Sequence, residues 1–192
     1  MRHKETLTIG LTKFMSLHII TGLYKGRRLE LPPKGSKTRP TNAKTRLAMF
    51  NILNRYIDFA GIRVADVCCG TGALGLEAMS RGASFGVFVD PQPQTAQLNI
   101  QKLGLQAQTQ VLTMDVRLLK LPVPVDLVLA DPPYDFGLGQ EVLNRAPAIG
   151  RPGTLWMLET EKGAPLDLSN LPLELLDQRH YGNIQLTLLR QG

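Results

Sequence analysis

The residues best suited to chemistry stand just beyond apolar, strand-like runs. Asp66-Val67-Cys68-Cys69-Gly70-Thr71-Gly72-Ala73-Leu74-Gly75 belongs to the run that begins at Arg63, and Asp90 closes the run from Phe85. Asp115 follows a third run, Gln108–Thr113, and Asp131-Pro132-Pro133-Tyr134 follows a fourth, Val125–Ala130. Glycine at 70 and 72 lets the backbone turn sharply and approach a ligand, while Gly75 permits close packing of helix on strand. The same Gly-x-Gly-x-x-Gly spacing marks nicotinamide-cofactor sites, and an acidic residue about 20 positions on, here Asp90, suits ribose hydroxyls in either case. The flanking residues separate the two. A carboxylate at Asp66 would repel a pyrophosphate but attract the ammonium and sulfonium groups of S-adenosylmethionine. Asp115 is placed to accept a hydrogen bond from an adenine amino group. The expected cofactor set is therefore Asp66, Cys68, Gly70, Thr71, Gly72, Asp90 and Asp115.

Asp131-Pro132-Pro133-Tyr134 is the most specific signal. Consecutive prolines stiffen the turn and remove two backbone donors, so the exposed polar groups are acceptors: the Asp131 carboxylate and the Pro132 carbonyl. The lone pair of an aromatic amine is delocalised into its ring. Two fixed acceptors on the amine hydrogens draw that pair out of conjugation and aim it at a methyl donor, which is catalysis by positioning and electrostatics. Tyr134 offers a flat face to a base taken out of its stack. Asp131, Pro132, Pro133 and Tyr134 form the expected catalytic set. The plainer alternative is a β-turn with a core tyrosine.

These residues need a sheet that brings strand ends together. From Ile62 onward strand-like runs alternate with helical patterns, the signature of a largely parallel sheet covered on both faces. Strands are expected at Arg63–Cys68, Phe85–Asp90, Gln108–Thr113, Val125–Ala130 and Thr154–Glu159, with helices at Ala73–Arg81, Pro91–Leu103 and Phe136–Ala148. Leu173–Arg179 and Asn183–Arg190 then read as a closing antiparallel pair around Gly182. The expected fold is α/β and Rossmann-like, of the class I methyltransferase type: a mostly parallel seven-stranded sheet with an antiparallel last strand, plus a small N-terminal β-hairpin. Residues 1–16 read as a disordered or start-site extension, and 17–41 as a basic hairpin and loop. A catalytic domain, 42–192, opens with a helix capped by Thr41 or Asn42.

Charge separates the same regions. Residues 1–46 hold 11 of the 22 Lys and Arg against Glu5 and Glu30, a local charge of +9, while the remaining 146 residues sum to −3. A cationic arm on a mildly acidic body suits a phosphate backbone, with Lys25, Arg27, Arg28, Lys37, Arg39 and Arg46 as its expected contacts. Adjacent Cys68 and Cys69 are too close for an ordinary disulfide and read as reduced core thiols. With only His3, His18 and His180 beside them, no metal is expected. No run is long enough to span a membrane and the N-terminus lacks a signal-type apolar stretch, so a cytoplasmic location is expected; a monomer is the expected state.

From Leu17 to the C-terminus the chain resembles the bacterial small-subunit (16S) ribosomal RNA guanine-N2 methyltransferases. The resemblance rests on His18-Ile19-Ile20-Thr21-Gly22 with Lys25-Gly26-Arg27-Arg28-Leu29, and on Arg39-Pro40-Thr41 with Arg46, Phe50 and Asn51. It also rests on Gly70-Thr71-Gly72-Ala73-Leu74-Gly75-Leu76-Glu77-Ala78 and Asp131-Pro132-Pro133-Tyr134. It departs where Ala43 and Leu47 replace acidic residues common in the family. The resemblance implies S-adenosylmethionine as cofactor, ribosomal RNA or the small ribosomal subunit as partner, and RNA contacts through the basic hairpin. Asp131 and Tyr134 would then handle the guanine. Amino methylation of another RNA base or of DNA adenine, a nicotinamide-dependent oxidoreductase, and a non-catalytic RNA-binding module are the alternatives.

Overall fold

A computed structural model describes residues 16–33, 42–134 and 137–192. All but the last residue of the expected N-terminal extension lie outside the described residues, as do Lys37, Arg39 and Thr41. The elements are β1 (Leu17–His18), β2 (Arg28–Leu29), α1 (Ala43–Leu53), β3 (Arg63–Val67), α2 (Ala73–Ser80), β4 (Phe85–Asp90) and α3 (Gln94–Leu103). They continue as β5 (Thr109–Thr113), β6 (Leu127–Ala130), α4 (Leu138–Leu143), α5 (Ala146–Ile149), β7 (Leu155–Glu161), β8 (Leu173–Tyr181) and β9 (Ile184–Gln191). Seven strands form one sheet in the order β5-β4-β3-β6-β7-β9-β8. β3 pairs in parallel with β4 and β6, and the parallel run extends to β5 and β7; β9 is antiparallel to both β7 and β8. β8 thus points the same way as β7, and only β9, the last strand in the chain, runs against the rest of the sheet.

Burial on both faces explains why the central strands are continuously apolar. Along β6 the side chains alternate: Leu127 and Leu129 face a core shared with α1, α2 and α3, whereas Val128 and Ala130 face a second core that includes Leu143, Ile149 and Trp156. The helix expected over Phe136–Ala148 is instead two short helices, α4 and α5. Pro147 sits in the first turn of α5, where its missing N–H costs nothing; in the middle of a longer helix it would have broken the ladder.

The N-terminal segment is a two-residue ladder, Leu17 opposite Leu29 and His18 opposite Arg28. Leu17, Ile19 and Leu29 are buried in the core that α1 and α2 share. The Ile20 and Thr21 amides donate to the two carboxylate oxygens of Glu77 at 2.7 and 3.0 Å, and the Leu23 amide donates to the Ser80 carbonyl at 2.7 Å. Gly22 (φ +86°) lies so close to α2 that a Cβ would stand 1.8 Å from the Ser80 carbonyl oxygen. The hairpin is therefore stitched to α2 along its length.

One expected RNA contact is corrected here. Arg46 is fully buried: it falls with Met49, Phe50 and Leu53 on the core-facing stripe of α1. It donates to the His18 carbonyl and faces Glu77, Nε to Oε2 3.9 Å, while Arg81 grips the other Glu77 oxygen at 2.9 Å. Burial lowers the Arg46 pKa and the Glu77 charge partly offsets this. A guanidinium so enclosed joins hairpin to helix; it cannot reach a phosphate. Among the described residues, no helix is long and apolar enough to cross a membrane.

Candidate active site

The sheet register assembles the site. Val67 pairs with Val89 on one side and Ala130 on the other, so the chain segments after β3, β4 and β6 leave the sheet side by side. Cys68, Asp90 and Asp131 therefore meet at one carboxyl edge, where open α/β sheets bind ligands. The turn after β3 is fixed by local bonds: the Cys69 amide donates to the Val89 carbonyl at 3.0 Å, and the Gly70 amide to Asp90 Oδ2 at 2.9 Å. Cys68 is the one non-glycine among the described residues with a positive φ, +59°. Such backbone strain persists where surrounding structure enforces it.

The glycines divide the work as their spacing suggests. A Cβ on Gly70 (φ +50°) would stand in open space, so the backbone there is bare toward solvent; a Cβ on Gly75 would lie 2.5 Å from the Phe88 ring. Gly72 (φ +75°) precedes α2, whose N-terminus has no side-chain cap. Thr71 is buried and its carbonyl accepts from the Asn99 amide at 2.9 Å, tying the loop to α3.

The electrostatics are those of a crowded anionic cluster. Asp66 is 1% exposed and accepts the Gly75 amide at 2.8 Å. Burial pushes its carboxyl well above the ordinary range; the Asp131 and Asp90 charges raise it further, against the pull of the Gly75 N–H. Cys68 is pushed up to about 12 by burial and then by the charges of Asp90, Asp66, Asp131 and Asp115. Cys69 is likewise raised well above its usual value, chiefly by burial. At both positions burial and the neighbouring charges disfavour the thiolate, which argues against a nucleophilic role. Asp115, after the end of β5, adds its charge to the same cluster, with Oδ1 accepting the Arg117 amide at 2.8 Å and Oδ2 3.1 Å from the Arg117 guanidinium.

In the turn after β6, Asp131 is partly buried, Pro132 is buried, and Pro133 and Tyr134 are exposed. The Tyr134 hydroxyl donates to Glu159 Oε1 at 2.9 Å. Glu159, near the end of β7 and 3% exposed, has no role in the sequence reading beyond closing a strand. The available signal is positional: an acid stands at the carboxyl end of each of the five parallel strands from β3 to β7. Lys25, Arg27 and Arg28 are exposed on the hairpin, away from this cluster's carboxylates in sequence, and Arg27 Nη2 donates to the Lys102 carbonyl at 3.3 Å.

The family described as Conserved hypothetical protein 95 matches residues 17–190. The ribosomal RNA small subunit methyltransferase D of Haemophilus influenzae is 32% identical over 161 residues, covering 78% of this chain and 81% of that protein. Its Escherichia coli namesake is 33% identical over 132 residues, 67% of this chain and 65% of that protein. Among solved structures, Escherichia coli yhhF superposes with a TM-score of 0.78 at 25% identity, covering 92% of this chain and 98% of that one. The fold is that of the class I methyltransferases. With one family spanning nearly the whole sequence, the chain belongs to the Conserved hypothetical protein 95 family, that of the small-subunit ribosomal RNA methyltransferases D.

Proposed function

We propose that this protein transfers a methyl group from S-adenosylmethionine to the exocyclic N2 amino group of a guanine in small-subunit ribosomal RNA. The observation that carries the reading is the convergence of Asp66, Asp90, Asp115 and Asp131 around Cys68, between the bare Gly70 backbone and the Asp131-Pro132-Pro133-Tyr134 turn. The residues fit the cofactor: a buried carboxyl crowded by carboxylates gains most from a cationic ligand, and Gly70 leaves room for one. Asp66 would meet the cofactor's amino-acid end, Asp90 the ribose and Asp115 the adenine, with Cys68, Thr71 and Gly72 lining the turn. When bound, the cofactor supplies an electrophilic methyl group on a sulfonium.

The chain's own residues do the rest. Asp131 and the Pro132 carbonyl accept the amine hydrogens, which restores nucleophilic character to the nitrogen and fixes its direction. After transfer the amine nitrogen carries an extra proton, which the Asp131 carboxylate, already the acceptor of an amine hydrogen, would take. Tyr134, steadied by Glu159, presents its ring to the base. Exposed Lys25, Arg27 and Arg28 would hold the RNA backbone, and Lys37 and Arg39 extend the same basic run in the sequence.

The test is nucleoside mass spectrometry of small-subunit RNA from cells lacking the gene, with labelled-methyl transfer to that RNA in vitro. Loss of one N2-methylguanine, restored by the wild-type protein but not by Asp131→Ala, is the expected result. Loss of a methylated adenine would keep the amine chemistry and overturn the guanine. Thermal stabilisation by NADH and not by S-adenosylhomocysteine would sink the cofactor assignment.

A further inference from the structure

Away from the carboxylate cluster, a groove of about 500 Å³ runs between α1 and β8. Lys44 and Leu47 line it from the helix and Arg55 from the turn just after it; Arg179 and Tyr181 line it from the strand. Its chemistry is built up from one carboxylate. Asp177, with only 9% of its side chain exposed, takes Arg179 in a two-point grip, Nε to Oδ1 at 2.8 Å and Nη2 to Oδ2 at 3.2 Å. The same carboxylate lies 3.8 Å from Arg55 Nη1. Both guanidiniums stay more than half exposed, at 64% for Arg55 and 52% for Arg179. One buried negative charge thus orients two cations, and with Lys44 the groove keeps a net charge of +2. The first turn of α1 has no acidic residue to offset it. Tyr181, 45% exposed, and Leu47, 40% exposed, add an aromatic and an apolar face.

The groove also has a fixed relation to the catalytic turn. Arg179 pairs with Leu186, which pairs with Glu159, the residue that holds Tyr134. At a strand spacing of about 4.8 Å, Arg179 lies about 10 Å across the sheet from Glu159. Tyr181 stands opposite Ile184, and Ile184 opposite Glu161 at the carboxyl end of β7. The cationic groove therefore opens on the same sheet edge as the Asp131 turn, and no residue of the N-terminal hairpin lines it.

We infer that the α1–β8 groove is a second RNA-binding site, in which Lys44, Arg55 and Arg179 take phosphates of the strand flanking the target nucleotide and Tyr181 stacks a neighbouring base. Oriented guanidiniums beside an exposed ring are the recurrent means of holding single-stranded nucleic acid without reading its sequence. The inference rests on the RNA-methylating reading above and extends it to residues on the far side of the site.

The test measures binding of the full-length protein to naked small-subunit RNA and to assembled small subunits across a salt series, in parallel with methyl transfer. For Lys44→Ala/Arg179→Ala, binding to naked RNA should weaken about tenfold, and the dependence of log affinity on log salt should become shallower by about 1.5. KM for RNA should rise while affinity for S-adenosylhomocysteine is retained. Tyr181→Ala should weaken binding with the salt slope unchanged, and Tyr181→Phe should restore it. If removing Arg179 unsettles Asp177, the Lys44→Ala/Tyr181→Ala pair should weaken binding to a similar extent, with the salt slope shallower by only about 0.7 because one cation is lost. Unchanged affinity and slope on naked RNA would overturn the inference, and a loss confined to assembled subunits would overturn it in favour of a protein-contacting surface. A wild-type protein that binds RNA through the groove but methylates no RNA would instead refute the catalytic reading and leave the groove standing.

Discussion

The carboxyl edge of the sheet and the face of the sheet that carries α1 use the same side chains in opposite ways. At the edge, carboxylates are set beside carboxylates: Asp66 is buried with Asp131 and Asp90 near it, and its proton affinity rises accordingly. On the α1 face two carboxylates are each set between two arginines, Glu77 between Arg46 and Arg81, Asp177 between Arg55 and Arg179. Burial then splits the two clusters. The side chains of Arg46, Arg81 and Glu77 are 1%, 8% and 0% exposed, and they hold the hairpin to α2; the Asp177 cluster keeps its cations in solvent. A carboxylate among cations is a fastener, whereas carboxylates crowded together make a receptor for a cation.

The sharpest way to break this contrast is to remove Glu77. It accepts from two hairpin amides and from Arg81, so Glu77→Ala strips the partners of two buried arginines and should cost about 3–5 kcal/mol in denaturant unfolding. A cost below about 1 kcal/mol would mean that the buried cluster is no fastener. Asp131→Ala should leave stability nearly unchanged and lower the methyl-transfer rate by about 10²–10³, the scale of losing one fixed electrostatic contact in a transition state. An equal loss of stability and rate would place Asp131 among the structural carboxylates.

Asp66→Asn should separate receptor from fastener by sign. A carboxyl whose folded-state pKa is raised lowers stability as pH climbs through the unfolded value, with the full penalty present above the folded value. The amide keeps an acceptor for the Gly75 N–H without the charge. The variant should therefore melt at a higher temperature than wild type at pH 7, the gap closing as pH falls toward 4, and should bind S-adenosylmethionine at least about tenfold more weakly. A lower melting temperature at pH 7 would show that the Asp66 charge is compensated within the fold. The smallest effect is expected from Asp177→Ala, at most about 1 kcal/mol, since its partners are solvated. Tyr134→Phe should likewise be mild: it loses the Glu159 bond and keeps the ring, so kcat should fall less than in Tyr134→Ala.

What the sequence discloses is whatever its local chemistry decides. The glycine turn and the Asp-Pro-Pro-Tyr turn are legible because backbone freedom and missing N–H groups act within a few residues. The strands are legible because two-sided burial makes them continuously apolar, although β8 runs two residues further than the pattern of apolar residues indicates and β9 is shifted by one. Arg46 reads as one more cation in a basic arm, and its burial depends on Glu77, 31 residues away, arriving beneath it when α2 packs against α1. Glu159 is silent for a similar reason: its bond to Tyr134 exists only once β7 has paired beside β6. Asp177 and Arg179 lie in a strand whose alternation gives no hint that a helix 120 residues earlier will lean over them. Pro147 did carry a legible signal, and the single helix expected around it is two.

The left-handed turn at Cys68 has a practical corollary for anyone handling the protein. A thiol held near 12 presents about one thiolate in ten thousand at pH 8, and its neighbour Cys69 is 7% exposed. Iodoacetamide at that pH should leave the folded protein unlabelled, while the urea-unfolded chain takes up two equivalents, so alkylation becomes a simple gauge of how often the loop after β3 opens.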